Sequence, residues 1–301
     1  MVVWQSANKL GHSLNNAPPY VLSKPLMKLK LNKLKNKLPL LFLYTVLFFN
    51  VVNAQTIDKC VLKCVYKISF QQDSTSKLTS GTDIMVLEIG MKTSLFYSEL
   101  SQKGDSLMAI DEKTGNTFST PEVSDKYNLD SWTIVIAKNY PANKVTVAER
   151  IVTDYRYSEA LLPQQWVIAR DTATLLGMLC NKATTYFRGR HYEAWFTKTI
   201  PTVHGPWKFY GLPGLIVKVC DSQNQFSFEL VTINKLKGIE MIIPTKNYVR
   251  ITRKGLSDLK AQFHEDPITF MENNSPYHMK FNESPLERKQ RKEPYNPIEL
   301  F

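Results

Sequence analysis

The sequence predicts a mainly β protein: a curved antiparallel sheet or half-barrel with one amphipathic helix near the C-terminus. Three observations point there. Runs rich in Val, Ile, Thr and aromatic residues, several of them alternating, recur between residues 60 and 243. Short turn sequences separate neighbouring runs; Arg188-Gly189-Arg190 divides KATTYF from HYEAWF, a hairpin signal. The strand–helix alternation of a parallel α/β fold does not occur.

The elements follow in chain order. Residues 60–70 (CVLKCVYKISF) put Cys60, Leu62, Cys64, Tyr66, Ile68 and Phe70 on one face and Lys63, Lys67 and Ser69 on the other. That is the period of a half-buried strand. Further strands are expected at 83–89, 132–137, 144–152, 165–169, 182–188, 191–197, 214–220, 226–233 and 239–243. In 252–264, Leu256, Leu259 and Phe263 recur at helical spacing, and Pro267 ends the pattern. Residues 272–298 carry Pro276, Pro285, Pro294 and Pro297 among Asn, Ser, Lys and Glu, too little apolar surface to fold alone. The last residues, Tyr295 to Phe301, turn apolar again and form a candidate docking segment. The reading is a single β-rich domain with its helix over 55–266 and a polar tail over 267–301.

Ahead of that domain the chain reads as an export leader. Lys28, Lys30, Lys33, Lys35 and Lys37 precede an apolar run from Leu38 to Val52, and Val52-Asn53-Ala54 supplies an A-x-A-like cleavage site. A helix over that run spans about 22 Å, short of the ~30 Å hydrocarbon core. A retained membrane anchor is the competing reading. Residues 27–54 are therefore expected to be a signal peptide starting at Met27, and residues 1–26 an extension ahead of the natural start.

The leader changes the meaning of the charge. Of the formal +11, seven lysines unopposed by any acid lie in residues 1–54, leaving +4 on the remainder. Without an aromatic and basic platform, nucleic acid is excluded as a partner. Four cysteines, Cys60, Cys64, Cys180 and Cys220, suggest disulfides in an exported chain. Cys60 and Cys64, four apart on a strand, would be separated by about 13 Å, beyond the ~7 Å that a bridge spans. Cys180–Cys220 is the default bridge, with two long-range bridges from the first strand as the alternative. The same cysteines lack a nearby histidine and make a poor zinc set, so no metal and no cofactor is expected.

No motif of the G-x-S-x-G, H-E-x-x-H, Walker or G-x-G-x-x-G kind is present. His191 and Glu193 share a strand face with Trp195, which fits acid–base machinery or a polar pair on a solvated face. Cys64 or Cys220 beside a histidine would be a thiol nucleophile. The densest stretch is 200–219 (IPTVHGPWKFYGLPGLIVKV). Glycines free its backbone and prolines restrict it. It reads as a structural corner, or as a ligand or partner rim made by Trp207, Phe209 and Tyr210.

GPWKFYGLPGLIVKV at 205–219 resembles the signature of the GLPGLI family of exported Bacteroidota proteins, named for Gly211, Leu212, Pro213, Gly214, Leu215 and Ile216. VLEIG and LFYS within 86–98, LLGMLCNKATTYFRGRHYEAWFTKTIP at 175–201 and YNPIEL at 295–300 resemble it too. Tyr210 and Val217 depart from the usual signature, and Cys60 and Cys64 lie outside it. The resemblance implies a cell-envelope protein, and the family's biochemical role is not established. More distantly, the run from AWFTKTIP to GLPGLIVKV is similar to lipoprotein-carrier (LolA-like) half-barrels, in which a curved sheet wraps an apolar cavity. The expectation is a non-enzymatic periplasmic binding or carrier module for an apolar small molecule. The alternatives are an interaction protein serving an outer-membrane transport or secretion system, associated peripherally with that membrane, and a hydrolase.

Overall fold

A computed structural model describes residues 55–115, 127, 131–243, 246–275, 280–282, 284, 287–288 and 292–300. The expected extension at 1–26 and the signal peptide at 27–54 lie outside the described residues. The strands are β1 (Gln55–Asp73), β2 (Ser76–Ile89), β3 (Ser94–Ser98), β4 (Val135–Lys138), β5 (Lys144–Arg150), β6 (Asp154–Ala160), β7 (Val167–Leu175), β8 (Met178–Phe187), β9 (Arg190–Thr197), β10 (Leu215–Asp221), β11 (Phe226–Ile243) and β12 (Val249–Arg250). The helices are α1 (Glu99–Thr114), α2 (Arg253–Glu265) and α3 (Pro267–Asn274).

The twelve strands of the described residues join one open sheet in the order β12-β6-β5-β4-β3-β2-β1-β11-β10-β9-β8-β7. Pairing is antiparallel except between β12 and β6. The sheet is two meanders, β1–β6 and β7–β11, zipped together where β1 pairs with β11. The link from β6 to β7 determines its shape. Those strands stand ten places apart in the order, about 48 Å in a flat sheet. Only residues 161–166 connect them, a reach of about 25 Å fully extended. The sheet must therefore curl until its two ends approach each other.

The curl encloses the main core. Tyr66, Leu87, Phe96, Val147, Ala183, Phe196, Trp207, Phe209, Val219 and Phe228 all belong to it. A smaller cluster of Cys60, Val86, Leu95, Tyr97, Ala137 and Met241 forms separately. Cys60 and Cys64 thus sit in different clusters, which corrects the single face expected for residues 60–70. A register shift in the β1–β11 ladder falls between them, where Cys60 pairs with Ile239 and Leu62 with Lys235, and an irregularity of that kind bends and re-aims a strand.

Two helices were not legible in the sequence. In α1 the buried residues are Ser101, Gly104 and Asp111, while Leu100, Leu107 and Ile110 are exposed. A Cβ on Gly104 would lie 1.7 Å from the Tyr127 carbonyl oxygen, so close approach rather than hydrophobicity sets that face. The helix α2 ends at Glu265, and Pro267 opens α3, where proline fits the first turn. The tail from 267 is corrected accordingly, because Ile268 and Phe270 of α3 are buried. Thr252 and Asp266 cap the two helices by accepting from the Gly255 and Thr269 amides at 3.0 Å each.

Candidate functional site

The signature loop is a small inverted hairpin between β9 and β10. His204 and Tyr210 bridge across it. The Gly205 amide donates to the Phe209 carbonyl at 3.0 Å, and the Gly211 amide donates to Val203 at 2.8 Å. Its tip, Pro206 to Lys208, turns through Trp207 at φ +46°. Gly211 needs its glycine twice over: φ is +99°, and a Cβ would lie 2.5 Å from Pro163. Gly214 admits the Thr197 carbonyl, which a Cβ would meet at 2.2 Å. Leu212, Leu215 and Ile216 are buried, Pro213 is exposed, and the Ile216 carbonyl accepts from the Tyr66 hydroxyl at 2.7 Å. The six signature residues therefore anchor the loop to the sheet.

The tip points inward. Trp207 and Phe209 are both 0% exposed, which corrects the expected rim for these two residues; Tyr210 alone is partly exposed. Ring centroids lie 5.2 Å apart for Trp207 and Phe209, 4.9 Å for Phe209 and Tyr192, and 5.7 Å for Trp207 and Phe187. Phe228 stacks on Trp207 at 6.5 Å. The curled sheet offers an apolar interior, and burying these rings there outweighs displaying them.

Two buried lysines hold the loop. Lys138 on β4 is fully buried, and its Nζ donates to the carbonyls of Gly205, Trp207 (2.8 Å) and Phe209 (3.4 Å). Three ammonium hydrogens meet three carbonyls, with no carboxylate among these partners. Burial pulls this amine down to about 7. His204, with Nδ1 unpartnered among the described residues, is lowered to about 4 by burial and then by the Lys138 charge. Lys208, on the loop itself, takes the opposite arrangement. Its Nζ reaches the Tyr157 hydroxyl at 2.7 Å, Glu159 at 3.0 Å, and Glu299. Arg188 pairs with Glu159 at 2.7 Å and Glu299 at 3.5 Å, and Arg253 with Glu299 at 3.4 Å. Glu159 keeps its carboxyl below the usual range despite burial, because Lys208 and Arg188 stand beside it. Contacts from β6, the β8–β9 turn, the loop, α2 and the C-terminal segment converge here.

The other candidates are not assembled for chemistry. Glu193 bonds Lys182 at 2.7 Å and the Trp195 indole at 3.1 Å, while the His191 ring lies 4.8 Å from that of Tyr186. All four cysteines are free, which corrects the Cys180–Cys220 bridge. Cys180 lies on β8 and Cys220 on β10 with β9 between them, about 10 Å of strand spacing against a reach of ~7 Å. Burial pushes the Cys64 thiol up to about 12 and raises Cys220, away from the thiolate that nucleophilic attack needs. Among the described residues no His/Cys/Asp/Glu cluster could hold a metal. Sequence reasoning missed Lys138, Lys208 and Glu159, whose partners lie far away in the chain.

No curated protein matches this chain. Two solved structures of PNGF-II, in P21 and C2 space groups, are similar at 15% and 16% identity with TM-scores of 0.43 and 0.44. Each covers 66% of this chain, which spans 32% of theirs. Residues 139–218, which carry the signature loop, match the family model described as Protein of unknown function (Porph_ging).

Proposed function

We propose that the chain is a non-enzymatic binding module of the cell envelope that meets a protein partner at its surface. The observation behind this reading is the filled interior. A LolA-like half-barrel needs space where Trp207, Phe209, Phe228 and Tyr192 pack ring to ring. A space of about 240 Å³ is found elsewhere, lined by Phe70 and by polar residues such as Ser69, Gln71 and Gln223, which does not suit an apolar ligand. The sheet's two ends favour a surface role. β12 is a two-residue strand followed directly by α2. β7 offers nine residues, and no described strand pairs with its outer edge. Val167, Ile168, Leu176 and Leu179 are exposed beside it. An open edge flanked by apolar side chains accepts an added strand.

The test places a photo-crosslinking residue at Val167 or, as control, at Val249, in the native organism. One envelope protein captured from Val167 and not from Val249 is expected, with no lipid co-purifying at stoichiometric level. Equal capture from both positions, or a stoichiometric lipid, would overturn the reading.

A further inference from the structure

The C-terminal segment lies across the molecule as a peptide lies in a receptor groove. It has neither helix nor strand of its own over 292–297, and successive residues are read by different partners. Tyr295 stacks on His264 at 4.5 Å. Asn296 and the Pro297 carbonyl both accept from Arg190, at 2.8 and 2.7 Å, and the Asn296 amide donates to the Gln71 carbonyl at 3.0 Å. Ile298 packs against the main core. Glu299 meets Lys208, Arg188 and Arg253. The Leu300 amide donates to the Arg188 carbonyl at 2.9 Å. Side-chain pockets combined with main-chain bonds are how grooves recognise extended peptides.

The groove itself demands an acid. Lys208, Arg188 and Arg253 face Glu159 and Glu299. With the segment lifted away, Lys208 and Arg188 would each lose one of the two carboxylates they meet among the described residues, and Lys208, 2% exposed with the segment in place, would keep Glu159 alone of the two. A buried charge left short of a partner is costly, so the empty groove should draw in a carboxylate.

We infer that this groove is a binding site for an extended Asn-Pro-x-Glu peptide, and that the chain's own Tyr295–Leu300 is its resident ligand. Arg190 reads the Asn-Pro pair, and the Lys208–Arg188–Arg253 triad reads the glutamate two positions on. The site is separate from the β7 edge, and the inference stands whether or not that edge meets a partner.

The experiment uses the whole chain with a protease site introduced between residues 290 and 291. After cleavage, a fluorescent peptide of residues 292–301 is added. Saturable binding is expected, at least tenfold weaker for the peptide carrying Glu299→Gln and absent for a scrambled sequence. If the cut protein loses its fold, excess peptide should restore the melting transition, and the Glu299→Gln peptide should not. The inference is overturned if the cut, folded protein binds no peptide, if the Glu299→Gln peptide binds equally well, or if an unfolded cut protein is not restored.

Discussion

Lys138 and Lys208 grip the same loop from different sides, and the difference between them shows how one charge can be buried in two ways. Lys138 is held by three backbone carbonyls. Its charge is met by dipoles alone, and the loop's carbonyls depend on it in return. Lys208 is held by carboxylates and a phenol, in a cluster that also contains two arginines. Removing it leaves Glu159 and Glu299 with other cations. Lys138 is thus the less replaceable of the two, although it carries no salt bridge among the described residues.

Lys138 is where the contrast between the two lysines has its largest expected effect. Lys138→Met strands the buried Gly205 and Trp207 carbonyls, while Phe209 keeps the Gly205 amide, and is expected to cost at least about 3 kcal/mol, because unsatisfied buried polar groups cost about 1–3 kcal/mol each. Chemical denaturation would measure it; a loss no larger than that of the Lys208 variant would refute the ranking. Lys208→Met should cost about 2 kcal/mol, and its loss should shrink when Glu159→Gln and Glu299→Gln are added. Non-additivity of that kind marks a shared network; strict additivity would show that these groups do not act together.

A third effect appears in the pH dependence of stability. The folded pKa of His204 is depressed to about 4 from 6.5, so the unfolded chain holds the extra proton between those values. Its contribution is complete above pH 6.5 and is lost as pH falls toward 4, by up to about 3 kcal/mol. His264, also lowered to about 4 by burial, acts in the same direction. Lys138 works in another window: with a folded value of about 7 against 10.5, it makes stability rise with pH between the two. His204→Gln should flatten the acid limb and Lys138→Met the alkaline one. A wild-type profile retained in both variants would assign the dependence to other groups.

Those two lysines also mark where the sequence stops being readable. Period-2 alternation exposes β1, β5, β8 and β9, because one face of each meets the core and the other meets water. Nothing local announces that Lys208, between Trp207 and Phe209, is buried; its acid Glu299 arrives from the far end of the chain. The same limit misleads at Trp207 and Phe209. An aromatic loop punctuated by Gly and Pro fits a surface rim or an inward plug, and only the curl of the sheet decides. At Cys60 a break in the ladder register accompanies the move to another cluster, and in α1 the buried face is small and polar, so the hydrophobic period points the wrong way.

The pairing of β1 with β11 carries a kinetic consequence. Within each meander most neighbouring strands are joined by short turns, apart from the β3–β4 link through α1 and the β9–β10 signature loop, but the zipper joins partners such as Cys64 and Ile233 from opposite ends of the domain. Closing so long a loop costs entropy before any contact compensates, and such topologies fold slowly. A chain made from its N-terminus holds β1 ready with one edge empty until β11 follows. That edge belongs to a strand bearing Leu62, Cys64, Tyr66 and Ile68, all buried in the finished fold. The longest hydrogen-bonded seam of the native protein is thus the interval of greatest exposure to aggregation while it forms.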